Sequence, residues 1–270
     1  MFNKCLTTIL LLAFTVAFAW YFNPAAQAQA TDKGLIAYWS FDKGTIKGET
    51  VKDVWGGSDG TIKGDPKEVD GKVEECLEFD GDVDYVFVES DEINIDYSEI
   101  TMECWVNVAS LDDSWNRIIS LDDTAAGNNN VASLYYDDDD NQHGFWITAN
   151  GTACDAASDM IQEDIPLNEW IHLAGVFDGK KAKYYKNGKL AKEYGLSGTL
   201  KGGNLLLGIG DRSDACNCDT VPGMIDEVRL YARALSDREV EVNSKAEGLA
   251  VSPSGKLSLI WGGIKASAIF

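Results

Sequence analysis

Nucleophile-and-base chemistry has little to draw on in this chain, which carries two histidines, His143 and His172. A general base must sit within hydrogen-bond reach of the group it activates. His172 lies in the apolar run Trp170 to Phe177, where a packed, hydrogen-bonded ring is expected. His143 follows the run Asp137-Asp138-Asp139-Asp140, where a solvated ring at a hairpin tip is expected. No Gly-x-Ser-x-Gly elbow and no phosphate-cradling loop occurs. Paired carboxylates are the other route to catalysis. Asp226 and Glu227 are adjacent, and neighbours in a regular strand point to opposite faces. They read as structural, held by strand-edge backbone or by Arg229 and Arg233.

The thiols suggest no metal knuckle. Cys216-x-Cys218 is too short for the usual zinc spacing, and no histidine is near in sequence. Of the six cysteines, Cys5 precedes the N-terminal apolar run, which leaves Cys76, Cys104, Cys154, Cys216 and Cys218. That number is odd, so at least one thiol stays free or pairs between chains. Cys154 with Cys216 or Cys218 could form a loop-to-loop bridge, whereas Cys76 and Cys104 sit in strand-like runs and behave as small hydrophobes.

Charge narrows the function classes. The 270 residues carry a formal net charge of −21, against the basic footprint that nucleic acids and anionic lipid require. Acidity of this size keeps an exported domain soluble, and it also offers the hard oxygen donors that calcium prefers. One such set is Asp42, Asp53 and Asp59, which alternatively braces loops. Residues 1–30 read as a secretory signal peptide. Lys4 is followed by an apolar stretch from Leu6 to Phe22 and then by small-residue cleavage patterns ending at Ala28 and Ala30. The apolar stretch is nearly long enough to remain as an uncleaved anchor. Cleavage implies a secreted or cell-surface protein with no other membrane contact, in an oxidising compartment that permits bridges.

About a dozen short aromatic and β-branched runs separated by turn signals must position these groups. They are Leu35 to Phe41, Cys76 to Phe79, Tyr85 to Val88, Ile100 to Val108, Arg117 to Leu121 and Val131 to Tyr136. Gly144 to Thr148, Trp170 to Phe177, Ala182 to Lys186, Lys189 to Tyr194, Leu205 to Ile209 and Met224 to Tyr231 complete the set. This spacing predicts an all-β sandwich or barrel rather than βαβ units. Asn187-Gly188 predicts a type I′ hairpin turn, and Ser236-x-x-Glu239 predicts a capping box opening a short helix over 237–244. One domain over 31–247 and a C-terminal extension over 248–270 are expected. The extension packs as an edge strand or remains free.

Seven segments in order resemble the laminin-G-like, concanavalin-A-like jelly rolls, with pentraxins as distant relatives. They are Leu35 to Asp42, Leu77 to Gly81 with Asp84 to Val86, Ile100 to Val106, Glu169 to Gly179, Tyr185 to Leu190, Leu206 to Gly208 and Ile225 to Ser236. The resemblance implies an all-β, antiparallel two-sheet jelly-roll sandwich with one short C-terminal helix. The glucanases on this fold carry a Glu-x-Asp-x-x-Glu pattern, which is missing here. Pentraxin-like loops would place calcium near Asp122, Asp123 and Asn130 and near Asp211 and Asp214, although Arg212 interrupts the second loop. Trp39, Trp105 and Trp170 fall in the family's core strands.

Aromatic rings with a polar edge suit the C–H faces of sugars. Trp115, Tyr135, Tyr136 and Trp146 are the candidates for that role, with Arg212 as a planar polar neighbour. The expected function is an extracellular, non-catalytic binding module for a glycan or glycoprotein, calcium-assisted in one version. The alternatives are a protein-interaction domain without sugar specificity and a glycan-cleaving enzyme of the same fold.

Overall fold

A computed structural model describes residues 30–111, 115–125, 129–137, 142–150, 152–154, 165–201, 203–212, 219–246 and 248. Residues 1–29 of the expected leader, Asp214, Cys216, Cys218 and all but the first residue of the C-terminal extension lie outside these residues. Two antiparallel sheets face each other across one apolar core, as a jelly-roll sandwich requires. The first sheet runs β15 (Lys189–Gly195), β14 (Lys181–Lys186), β13 (Ile171–Phe177), β8 (Ile100–Val108), β17 (Pro222–Tyr231), β6 (Glu75–Asp80) and β5 (Lys67–Asp70). Its eighth strand, β1 (Leu35–Trp39), pairs with the far half of β17. The second sheet runs β12 (Thr152–Cys154), β11 (Gln142–Ala149), β10 (Asn129–Asp137), β9 (Trp115–Asp123), β16 (Leu205–Ile209), β7 (Tyr85–Val88), β4 (Gly60–Lys63), β3 (Thr50–Val51) and β2 (Ile46–Lys47). Among the described residues no helix is long and apolar enough to cross a membrane.

Burial follows strand position. The central strands β8 and β13 are buried at every residue, whereas the edge strand β15 has no fully buried residue. The unbroken burial of β8 and β13 arises because both faces of the first sheet are covered. Its inner face meets the second sheet, and its outer face carries a smaller cluster of Leu35, Tyr38, Ala174, Val176, Tyr185, Tyr231, Leu235 and Val240. Val240 belongs to the helix α1 (Asp237–Asn243), which closes this cluster. Ser236 Oγ accepts from the Glu239 amide and Glu239 reaches back to the Ser236 amide, so the capping box forms. The hairpin turn also forms, with Asn187 at φ 50° and Gly188 at φ 74°.

Cys76 and Cys104 are buried free thiols, and burial pushes the Cys76 thiol up to about 12. Cross-sheet packing at the centre tolerates no added atom. A Cβ on Gly175 of β13 would lie 2.1 Å from the Phe145 ring of β11. Gly175→Ala is therefore expected to cost about 1–3 kcal/mol by overpacking, read as a lower denaturant midpoint with an unchanged slope.

Candidate functional site

The two outer faces of the sandwich are chemically different. On the first sheet, Arg229 of β17 is fully buried and forms a close ion pair with Glu227 and a second, at 3.4 Å, with Glu103 of β8. Its guanidinium lies 4.8 Å from the centre of the Tyr38 ring. Tyr38 Oη donates to Glu227 Oε1 at 2.5 Å, and Asn243 Nδ2 of α1 donates to Glu103 Oε1 at 2.7 Å. Tyr231 Oη donates to the same oxygen at 3.3 Å. Burial raises both glutamates, and Arg229 pulls them back. His172 is also buried, with Nε2 3.7 Å from Glu103 Oε2 and no hydrogen bond to either ring nitrogen among the described residues. Desolvation, and then the Arg229 charge, hold the imidazole down at about 3, so it is neutral. The ring packs as expected from its sequence context, without the expected hydrogen bond.

Asp226 and Glu227 do not point to opposite faces. A bulge between Asp226 and Arg229 interrupts the pairing of β17 with β8, and Glu227 takes a left-handed φ of 56°. Ile225 and Val228 face the core, so both acids lie on the outer side. Asp226 Oδ2 accepts the amides of Lys72 and Val73, each at 2.9 Å, and Arg233 pairs with Glu239 instead of either acid. The second of these assignments corrects the role expected for Arg233.

The outer face of the second sheet carries the aromatic candidates. Ala132, Leu134 and Tyr136 of β10 face the core, so Ser133, Tyr135 and Asp137 face outward. Their cross-strand partners extend that face: Tyr135 opposes Arg117, Asp137 opposes Trp115, and Ser133 opposes Trp146 and Ser120. Trp115 stacks on Tyr135 with ring centres 5.2 Å apart and planes within 10°, and Trp146 meets Trp115 edge-on at 6.2 Å. Arg117 lies 5.9 Å from the Trp115 ring and donates to Ser133 Oγ at 2.8 Å. Asp219 joins the two arginines of this face, 3.3 Å from Arg117 Nε and 3.7 Å from Arg212 Nε. Asn130 Nδ2 donates to Ser133 Oγ at 2.9 Å, and its carbonyl accepts from Thr148 Oγ1 at 2.8 Å. Trp146 Nε1 donates to that same Thr148 hydroxyl.

Three of the four aromatic candidates thus form one corner, and Tyr136 does not join it because strand alternation turns it into the core. Tyr135 is buried beneath Trp115, so Trp115 and Trp146 supply the accessible ring surface. Arg117, Ser133, Thr148 and Asp219 were missed from the sequence. Arg117 was legible, because it follows Trp115 by two residues and shares its face. His143 is buried, with Nδ1 2.6 Å from Tyr184 Oη across the core, and Asp137 is buried too, so neither lies on a solvated tip.

The expected calcium loops are less compact. Asp122 and Asp211 are buried, and Asp123 Oδ1 accepts the amides of Ala125 and Asn204. Asn130 sits opposite Asp122 in the strand register. Among the described residues, one group of acidic or thiol side chains lies close enough to share an ion, Asp42 with Glu74 and Glu75. Asp53 and Asp59 brace loops instead: Asp53 accepts the amides of Tyr38, Trp55, Gly56, Gly57 and Ser58, and Asp59 accepts that of Asp53. A cleft of about 500 Å³ opens at the sandwich edge among Glu78, Phe79, Asp80, Asp84 and Pro222. Neither it nor the clefts of about 230 and 190 Å³ is lined by the Asp42 group or the aromatic corner.

Comparison with known proteins agrees with this architecture. The model of the concanavalin A-like lectin/glucanases superfamily matches residues 80–241. No curated protein matches the sequence. The Trypanosoma rangeli sialidase, solved with sialic acid, superposes with a TM-score of 0.62 at 16% identity, over 87% of this chain and 38% of that one. Domain 4 of an extracellular arabinanase from Geobacillus stearothermophilus, solved with arabinotriose, gives 0.58 at 20% identity over 81% of this chain and 99% of that one. The binding domain of Paraclostridial Mosquitocidal Protein 1 gives 0.58 at 16%, over 78% and 52%. The chain spans about a third of the first sialidase structures matched. At these identities the likeness is one of fold.

Two measurements test the buried network. Arg229→Met leaves Glu103 and Glu227 without their cation and is expected to destabilise by about 3–5 kcal/mol in equilibrium unfolding. His172 has a folded pKa below its unfolded one, so its contribution is complete above the unfolded value near 6.5 and is lost as pH falls toward about 3. Between pH 6.5 and 5 the wild type should lose roughly 2 kcal/mol more than His172→Gln. Parallel pH profiles for the two proteins would contradict a neutral buried ring.

Proposed function

The chain belongs to the concanavalin A-like lectin/glucanase superfamily, and on that footing we propose that it is a secreted, non-catalytic module that binds a carbohydrate through the outer face of its second sheet. The carrying observation is the corner of Trp115, Tyr135 and Trp146 beside the planar, hydrogen-bonding groups Arg117, Asn130 and Arg212. Aromatic rings accept the apolar faces of sugars while neighbouring fixed polar groups read hydroxyls. Tyr135 backs Trp115 from below, so the indole is held before ligand arrives and less freedom is lost on binding. The solved complexes of fold neighbours with sialic acid and arabinotriose support this choice of ligand class.

Several observations favour binding over cleavage. A glycosidase needs two carboxyl groups across a cleft that admits the sugar. Asp226 and Glu227 are buried and hold backbone amides, Arg229 and Tyr38. The strong negative charge favours neutral or weakly charged glycans over polyanionic ones, since extended like charges repel at low salt. Export rests on the N-terminal segment read from the sequence.

A glycan array probed with the full chain tests this. A set of neutral glycans should be retained, with retention lost at least tenfold in Trp115→Ala and in Trp146→Ala while the unfolding midpoint moves little. Retention that survives both substitutions would remove the corner as the site. Release of reducing sugar would remove the non-catalytic reading.

A further inference from the structure

The two edges of the first sheet carry opposite charge. At one edge, β15 and its neighbour β14 hold Lys181, Lys183, Lys186, Lys189 and Lys192. At the other, β5 pairs with β6 alone and turns its remaining backbone groups outward. Residues 65–82, which build that edge, hold eight acids against two lysines. Glu68 and Asp70 of β5 are exposed, whereas Lys67 is tied to Asp65. An acid-lined edge repels its own copy in a second molecule and favours a strand that brings positive charge.

The chain leaves the described fold beside this acidic edge. Lys245 and Ala246 share a cleft with Lys72 and Val73 of the turn between β5 and β6. A Cβ on Gly248 would stand 3.7 Å from Val73 Cγ1. Residues 249–270 follow with no acid and with Lys256 and Lys265, in a chain whose net charge is −21. Leu257, Leu259 and Trp261 alternate with Lys256 and Ser258, the period-two pattern of a half-buried strand. Residues 249–255, which include the turn-forming Ser252-Pro253-Ser254-Gly255, can span roughly 25 Å. Asp70 is three residues from Val73 and so at most about 11 Å from it, well within that reach.

We infer that residues 256–260 add to β5 as a further antiparallel strand and close the acidic edge of the first sheet. A strand arriving from Val73 runs from Asp70 toward Lys67, opposite to β5, as neighbours do throughout this sheet. The register that sets Lys256 opposite Asp70 also sets Leu257 beside Val69, the apolar side chain of β5. Covalent attachment holds the segment near this edge at roughly millimolar local concentration, which favours it over a strand from a second molecule. The lysines of β14 and β15 oppose the same segment at the other edge. The inference does not depend on the sugar-binding reading.

Amide hydrogen exchange of the full chain, followed by mass spectrometry, tests it. In the wild type, residues 256–260 should exchange at least about tenfold more slowly than the same segment in a free peptide. Glu68→Lys/Asp70→Lys should remove that protection, and adding Lys256→Glu to this variant should restore it. Both β5 side chains are exposed, and unchanged protection of β8 and β13 in the same spectra reports that the variant folds. Lys189→Glu/Lys192→Glu, at the opposite edge, should leave residues 256–260 protected. Exchange at the free-peptide rate in the wild type, protection that survives Glu68→Lys/Asp70→Lys, or no recovery with Lys256→Glu would overturn the assignment. So would protection lost in Lys189→Glu/Lys192→Glu, or protection that grows with protein concentration and therefore belongs to a second copy.

Discussion

Arg229 ties the first strand and the closing helix to the middle of the first sheet. The guanidinium sits in a buried layer between Glu103 of a central strand and Glu227 of its own bulge, and rests on Tyr38 of the first strand. Glu103 in turn takes the amide of Asn243 from the closing helix. A buried charge is tolerable when its partners surround it and becomes a large penalty when one is missing. The terminal strand, the helix and the central sheet are therefore favourable only together. Tyr185 Oη donating to Asp237 at 2.7 Å adds the outer hairpin to the same assembly.

That arrangement commits one face of the molecule. Helix α1 and the loop around Trp55 cover the outer side of the first sheet, and Trp55 Nε1 donates to the Leu35 carbonyl beneath. The remaining broad face belongs to the second sheet, where strand alternation sets indoles, an arginine and hydroxyls side by side. Its groups are cross-linked to one another through Ser133, Thr148 and Asp219. Such cross-linking fixes side chains before a ligand arrives, which would lower the ordering cost of the proposed sugar binding.

Much of the fold was legible because its longer strands are rich in aromatic and β-branched residues and are bounded by turns such as Asn187-Gly188. The strands β2 to β5 and β12 went unread. They are two to four residues long, and Lys-Glu-Val-Asp in β5 has no apolar alternation to detect, because an edge strand held by β6 alone buries little. The bulge at Glu227 was equally invisible, since a left-handed glutamate carries no glycine to announce it. Its cost in reading was direct: alternation put Asp226 and Glu227 on opposite faces, and the extra residue put them on one. The Asp42 group gathers residues more than thirty positions apart, which spacing along the chain does not reveal. Tyr136 was misplaced for the converse reason, that two adjacent tyrosines in a strand cannot share a face.

On the proposed reading, recognition belongs to the second sheet's outer face while the first sheet's face is committed to holding the fold. The indole N–H signals of the tryptophans report on both faces in one NMR spectrum. On titration with a neutral oligosaccharide retained by the protein, the account predicts shifts at Trp115 and Trp146, with Trp39, Trp55 and Trp105 unmoved. Shifts confined to Trp55 and Trp105 would contradict it.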